Sequence, residues 1–140
     1  MVRMDKIERS DEKEILLKHG VRPLTHRVAV YRYLLDNPVH PTADEIYGDL
    51  KDTMSSISRT TVYNVLHLLC SKDIVQRIAI EKNEMRYDAN MNNHIHFKCT
   101  ACGHVNDLHS VNFPYIQVPG GYHMHDVQIN ITGECPTCCA

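Results

Sequence analysis

The chain has 140 residues, of which 43% are hydrophobic and 23% are charged, and its formal net charge is −2. This is ordinary for a soluble globular protein of one domain or two small ones. No run approaches the ~18 apolar residues that span a bilayer, and the charged start MVRMDKIERS lacks the apolar core of a signal peptide. We therefore expect a cytoplasmic protein without a membrane span, in which the six cysteines stay reduced and are better explained by metal ligation than by disulfides.

The charged residues are unevenly distributed. Residues 1–88 carry 14 basic and 14 acidic side chains, whereas residues 89–140 carry one lysine and three acidic residues. Four basic residues of the first part follow one another without an intervening acid: Lys18, Arg22, Arg27 and Arg32. Such a stripe can contact phosphates in a nearly neutral chain, although a solvated helix face is the simpler interpretation of the stripe alone.

Four helices are predicted in the first 88 residues. The first covers residues 11–19 before a glycine, and the second covers 25–37 before a proline. The third, PTADEIYGDL (41–50), has Thr42 and Glu45 at capping-box spacing and apolar residues at i, i+3, i+4 and i+7.

The fourth predicted helix, SRTTVYNVLHLL (58–69), has two distinct faces. Its apolar face, suited to a core, consists of Val62, Val65, Leu66 and Leu69. Its polar face, suited to hydrogen bonding, consists of Thr60, Tyr63, Asn64 and His67, with Arg59 at the start of the helix.

Two β-like runs, DIVQRIAI (73–80) and EMRYDA (84–89), follow the helices as in a hairpin. This order is typical of a winged helix-turn-helix, whose last helix enters the major groove; a helical bundle with a solvated polar face is the alternative. We predict a winged-helix DNA-binding domain at 1–88, a polar hinge at 89–93 and a β-rich, metal-binding domain at 94–140. The last is too short for a sound core without a staple or a partner subunit.

Two Cys-x-x-Cys pairs, CTAC (99–102) and CPTC (135–138), occur in the second part. Four thiolates complete a tetrahedral zinc shell with no open position, so the site is structural. Cys139 is an alternative to Cys138 as the fourth ligand, although the two-residue spacer favours Cys138.

The histidines of this part need a different explanation. His94 and His96 are two residues apart on a predicted strand, so their side chains project from the same face. Cys99 has the opposite parity, which argues against a shared ion. With Asp88, Asp107 and His40, these imidazoles provide nitrogen and oxygen ligands suited to iron, manganese or zinc.

These motifs resemble the ferric uptake regulator (Fur) family of metal-dependent bacterial repressors, and most closely its peroxide-stress (PerR) branch. The resemblance rests on HPTADEIY (40–47), TTVYNVL (60–66), RYD (86–88), HIHFKCTACG (94–103) with Asp107, and GECPTC (133–138). It implies an α+β fold in which an N-terminal winged helix is joined by a hinge to a small C-terminal α/β dimerisation domain stapled by zinc. It also implies a homodimer that binds a palindromic operator in double-stranded DNA and is not an enzyme.

The resemblance assigns roles to individual residues. It implies structural Zn(II) on Cys99, Cys102, Cys135 and Cys138, and regulatory Fe(II) or Mn(II) on His40, Asp88, His94, His96 and Asp107. It implies that Tyr63 contacts thymine, with Arg59, Thr60, Thr61 and Asn64 reaching bases or phosphates. Aspartate rather than glutamate at position 107 is more similar to the peroxide sensors than to the iron-homeostasis members.

The implied mechanism links the regulatory ion to DNA binding. An ion held by both domains fixes how the two reading heads of a dimer match the half-sites of the operator. With Fe(II), hydrogen peroxide is expected to oxidise His40 or His94, which weakens metal binding and releases the DNA. With Mn(II), the repressor is expected to stay insensitive.

Three segments depart from the family pattern. Residues 108–121 are short and contain Pro114 and Pro119, so the dimerisation helix must be reduced. His123 and His125 either replace a family histidine at an offset position or are simply exposed, which we favour. The sequence RPLTHR (22–27) is unusual at a position of phosphate contact.

Three other functions stay open from the sequence. The first is an iron, zinc or manganese homeostasis repressor with the same ligands. The second is a thiol enzyme using CTAC, which the missing βαβ context and the matching second cysteine pair disfavour. The third is a zinc-stapled interaction module, which Arg59, Tyr63 and Asn64 on one helix face disfavour.

Overall fold

The computed structural model describes residues 11–79, 84–91, 94–108 and 111–139. The chain divides into two compact units, Met1–Met91 and Asn92–Ala140. The first ten residues of the predicted winged-helix domain and residues 92–93 of the predicted hinge lie outside the described residues.

The described part of the first unit starts with four helices: α1 (Asp11–Lys18), α2 (Thr25–Asp36), α3 (Ala43–Leu50) and α4 (Arg59–Ser71). A left-handed Gly20, with φ of 76°, follows α1 and lets the chain turn back at low steric cost. The predicted capping box starts α3, because Thr42 and Glu45 each accept a hydrogen bond from the other's backbone amide.

The apolar faces of these helices form the core of the first unit. In α4 the predicted apolar residues are all buried: Val62, Val65, Leu66 and Leu69. They pack with Leu16 of α1, Val30 of α2 and Ile46 of α3, which are completely buried. Each such side chain contributes about 1.5–3 kcal/mol of burial free energy, so the core fixes α4 with its polar face outward.

A two-stranded antiparallel hairpin completes the first unit. Strand β1 (Gln76–Ile78) pairs with β2 (Arg86–Asp88), with Gln76 opposite Asp88. Residue Thr42 forms a further antiparallel bridge with Arg86, so the segment before α3 runs alongside β2. Four helices followed by this wing confirm the predicted winged-helix architecture and the α+β class.

The second unit contains a three-stranded sheet: β3 (Ile95–Cys99), β4 (Val105–Asp107) and β5 (Ile129–Gly133). The strand order is β4-β3-β5, with β3 antiparallel to β4 and parallel to β5. Residues 111–128 form neither helix nor strand, in line with the predicted reduction of the dimerisation helix. None of the helices in the described parts of the chain is long and apolar enough to cross a membrane.

Candidate metal centres and nucleic-acid face

Four cysteine side chains meet at one end of the three-stranded sheet. Cys99 ends β3 opposite Gly133 at the end of β5, and the carboxyl ends of parallel neighbours lie at the same edge. The four Sγ atoms all lie within 4.8 Å of one another, and those of Cys102 and Cys135 are 3.9 Å apart. Thiolates on one tetrahedral zinc ion are about 3.8 Å apart for Zn–S bonds of roughly 2.3 Å. The cluster therefore fits a closed zinc site.

The backbone around the cluster favours thiolates. The amides of Cys102 and Cys135 each donate to Cys99 Sγ over 3.4 Å, and these hydrogen bonds lower the pKa of Cys99 to about 6. Side-chain hydrogen bonds with the other three thiols, of which that with Cys135 has the largest effect, raise the pKa of Cys138 to about 12. Since four adjacent thiols do not all ionise without a cation, this chemistry also fits a divalent ion.

The remaining cysteines lie outside this cluster. The fourth member of the group is Cys138, and its exposed neighbour Cys139 does not belong to it. Cys70 packs against the core of the first unit, where burial raises its pKa. A buried thiol of this kind is a poor metal ligand.

The five predicted nitrogen and oxygen ligands come from both units, two from the first and three from the second. In the first unit, His40 Nε2 lies 3.3 Å from Asp88 Oδ2, and both side chains are buried, with exposures of 2% and 5%. The other Asp88 oxygen accepts a hydrogen bond from the amide of Asn90 over 2.9 Å. This bond fixes the carboxylate, with Oδ2 facing the imidazole.

His40 is brought to Asp88 by the segment that runs alongside β2. The amide of Tyr87 donates to the carbonyl of Pro41 over 3.0 Å, and Arg86 Nη1 donates to the carbonyl of His40 over 3.0 Å. His40 has φ of 56°, a left-handed conformation that costs a non-glycine residue about 1–3 kcal/mol. Strain of this kind is concentrated at functional sites.

In the second unit, two imidazoles converge on one carboxylate. The register places Asp107 directly opposite His96, so their side chains project from the same face. Asp107 Oδ1 lies 3.1 Å from His94 Nε2 and 3.5 Å from His96 Nε2, and the two rings are 4.3 Å apart at their centroids. Two imidazole nitrogens and a carboxylate oxygen so close together are a ligand set suited to a metal ion of intermediate hardness. His123 and His125 are exposed and belong to neither candidate metal group of the described chain.

The polar face of α4 is available to a ligand. Arg59, Thr60, Tyr63, Asn64 and His67 are exposed, with 47% of Tyr63 accessible. Thr61 is half-buried, and both its amide and its hydroxyl contact Ser58 Oγ, the N-cap of α4. A groove of about 220 Å³ continues this face toward the start of α2, between Asn64 and Arg27.

Two of the basic residues for which phosphate or base contacts were considered from the sequence have acidic partners in the structure. Arg59 contacts Asp44 of α3, and its guanidinium lies 5.2 Å from the ring centroid of Tyr47. Arg32 Nε lies 2.8 Å from the buried Glu12 carboxylate, so this member of the basic stripe holds α1 against α2. The pattern of charges along the sequence does not predict this ion pair, because its two residues are 20 positions apart.

Sequence reasoning missed residues that support the predicted ligands. Arg86 and Asn90 contact the backbone of His40 and the carboxylate of Asp88, respectively. Strand parity was an available signal for Arg86, because positions i and i+2 place it on the same face of β2 as Asp88.

Comparisons with known proteins give the same family throughout. The model of the ferric uptake regulator family matches residues 18–131. The peroxide-responsive repressor PerR of Staphylococcus aureus (strain USA300) is 34% identical over 98% of this chain and 97% of its own. A Streptococcus pyogenes PerR structure, described as a basis for peroxide sensing and gene regulation, covers 93% of this chain and 92% of its own at 26% identity and a TM-score of 0.53. The Fur structure from Francisella tularensis with iron covers 86% and 96% at 23% identity and a TM-score of 0.67, which shows the fold.

The fold, the two ligand chemistries and these matches define a metal-dependent transcriptional repressor, not an enzyme. The chain belongs to the ferric uptake regulator family. Repressors of this family bind DNA and are dimeric. Membership of the family therefore argues against both alternatives, the thiol enzyme and the interaction module without DNA binding.

Proposed function

We propose that this chain is a peroxide-sensing repressor that binds a palindromic operator as a homodimer. Structural Zn(II) occupies the four-cysteine cluster, and regulatory Fe(II) or Mn(II) is held by His40, Asp88, His94, His96 and Asp107. Hydrogen peroxide relieves repression by oxidising His40 or His94 when the regulatory ion is Fe(II).

The observation that carries this proposal is the convergence of His94 and His96 on one oxygen of Asp107, at 3.1 and 3.5 Å. This group contains no thiolate, so its ligand chemistry differs from that of the zinc cluster. Imidazole and carboxylate ligands bind Fe(II) and Mn(II) and leave both ions able to exchange.

We infer that one ion uses the ligands of both units. Three ligands from the second unit leave the shell of Fe(II) or Mn(II) incomplete, and His40 with Asp88 supplies two more of the same chemical type. An ion that requires both groups of ligands binds most tightly to the conformation in which the two groups are together. The difference in its affinity between this conformation and the others shifts the repressor toward the DNA-binding form.

The chemistry supplied by bound Fe(II) is reductive cleavage of the peroxide O–O bond. In the net change, one oxygen atom of hydrogen peroxide is added to an imidazole carbon of His40 or His94, and the other leaves as water. The oxidised ring is a weaker ligand, so the site loses its ion and the dimer releases the operator. With Mn(II) in the site, this oxidation would not occur readily, and His40 and His94 would hold the ion for repression without a response to peroxide.

DNA recognition is assigned to the exposed face of α4. Arg59, Thr60, Tyr63 and Asn64 are accessible, and the buried apolar face holds the helix in place behind them. Thr61 contributes through the N-cap of α4 and the adjoining groove. Phosphate contacts should make operator affinity fall steeply with salt.

The test measures retardation of promoter fragments by zinc-loaded protein carrying either Fe(II) or Mn(II), before and after anaerobic addition of peroxide. We expect both forms to bind the same fragment and only the iron form to lose it. The matched variant is Asp107→Glu, whose extra methylene displaces the carboxylate relative to the two imidazoles. It should retain metal-dependent binding and lose most of the peroxide response.

The alternative function is an iron, zinc or manganese homeostasis repressor. It is distinguished by the same experiment, because such a repressor would respond to the concentration of its metal. Equal retention of the operator by both metal forms after peroxide would favour it over the sensor.

A further inference from the structure

The backbone of His40 is held against its own preference. Its φ of 56° lies in the left-handed region, where a side chain with a Cβ is disfavoured. The next residue is Pro41, and a residue before proline prefers an extended backbone. Left to these local preferences, His40 would become extended and its imidazole would turn away from Asp88.

A hydrogen bond from Arg86 opposes this relaxation. Its Nη1 donates to the His40 carbonyl over 3.0 Å, while its backbone forms the antiparallel bridge with Thr42. The neighbouring bond from the amide of Tyr87 to the carbonyl of Pro41 fixes the following peptide but does not reach His40 itself. Arg86 therefore contacts the backbone of the strained residue directly.

One strand supplies both this contact and a ligand. Arg86 and Asp88 are two residues apart on β2, so they project from the same face. From that face the guanidinium meets the backbone of His40 and the carboxylate meets its ring, 3.3 Å from Nε2. The two contacts together fix both ends of the histidine.

We propose that Arg86 is a positioning residue for the regulatory metal: it holds His40 in the left-handed conformation and thereby aims the imidazole at Asp88. It is not itself a ligand. This inference rests on the proposed function for its link to metal affinity, although the effect on the backbone of His40 is independent of any regulatory ion.

The sign of the expected effect separates positioning from charge. Loss of a positive charge near the ligands would on its own strengthen the binding of a divalent cation. Loss of a residue that orients a ligand weakens binding, typically about 10- to 100-fold. A lower affinity in an Arg86 variant therefore has the sign that positioning predicts and that loss of charge alone does not.

The experiment compares Arg86→Gln and Arg86→Lys with the control Arg22→Gln, which makes the same change at an exposed arginine outside the hairpin. Mn(II) affinity is titrated in zinc-loaded protein. In the same protein without Mn(II), the φ of His40 is read from the NMR coupling between its amide and Hα protons together with the strong intraresidue NOE that these protons show only at positive φ. We expect Arg86→Gln to lose about tenfold or more in affinity and to lose the left-handed coupling. Arg86→Lys, which keeps a donor, should recover part of both, and Arg22→Gln should leave both near wild type.

Two results would overturn the proposal. One is an Arg86→Gln protein that matches Arg22→Gln in both measurements. The other is a weakened affinity with an unchanged His40 coupling, which would make Arg86 act other than through the backbone. Failure of the proposed regulatory metal site is distinguishable, because then wild-type protein would not bind Mn(II) while the His40 coupling would still respond to Arg86→Gln.

Discussion

Two adjacent cysteines give a sharp test of the zinc cluster. Cys138 belongs to the four-thiolate group and Cys139 does not, although both are exposed and the residues are chemically identical. We predict that Cys138→Ser loses the structural zinc and the fold of the second unit. Cys139→Ser, the matched control, should keep both.

The magnitude follows from the small core of this unit. Among the residues of this unit that the structure describes, the buried aliphatic side chains are Ile95 and Val105, each contributing about 1.5–3 kcal/mol. Structural zinc contributes on the order of 10–16 kcal/mol at neutral pH, so an equal share for each of four ligands is about 2.5–4 kcal/mol. Loss of one thiolate is therefore comparable with the whole aliphatic contribution, and the second unit should unfold.

The assay is zinc content after gel filtration, followed by urea unfolding monitored by amide signals of the second unit. Cys138→Ser is expected to be depleted of zinc and to lose the cooperative transition of residues 94–140. The reverse outcome, zinc lost in Cys139→Ser and retained in Cys138→Ser, would refute the assignment of the fourth ligand.

The remaining predictions concern DNA binding, metal removal and helix capping. Asn64→Ala should weaken operator binding by about 1–3 kcal/mol, because the side chain is expected to reach a base. His67→Ala, one turn further along α4, should have little effect in the same titration. Equal losses of affinity in the two variants would contradict a DNA-contacting face centred on Asn64. Brief treatment with EDTA should remove the regulatory ion and abolish operator binding while zinc content is unchanged, because four thiolates retain zinc more firmly than imidazole and carboxylate ligands retain Fe(II) or Mn(II). Thr42→Ala should lower the free energy of unfolding by about 1 kcal/mol through loss of the capping box, and an unchanged urea midpoint would show that the cap contributes nothing.

Local features of this fold could be predicted from the sequence because their physics is local. The capping box joins residues three apart, and the apolar face of α4 follows from a period of 3.6, so Thr42, Glu45 and the buried α4 residues were identifiable. The spacing of His94 and His96 likewise indicated a shared face before the structure placed Asp107 opposite.

The contacts that could not be predicted join distant segments. The left-handed φ of His40 depends on Arg86, 46 residues later, and contradicts the local preference of a residue before proline. The parallel pairing of β3 with β5 brings the two cysteine pairs to one edge, but strand order is not encoded in either strand alone. The sequence places Arg32 in a basic stripe, whereas in the structure its guanidinium forms an ion pair with Glu12.

The most direct measurement of the central claim is peptide mass spectrometry after peroxide treatment of zinc-loaded protein carrying Fe(II) or Mn(II). The account predicts addition of one oxygen atom to the peptide containing His40 or His94 in the iron form, and no addition in the manganese form. Unmodified peptides in both forms, from protein that still binds its operator in a metal-dependent way, would contradict peroxide sensing through these histidines.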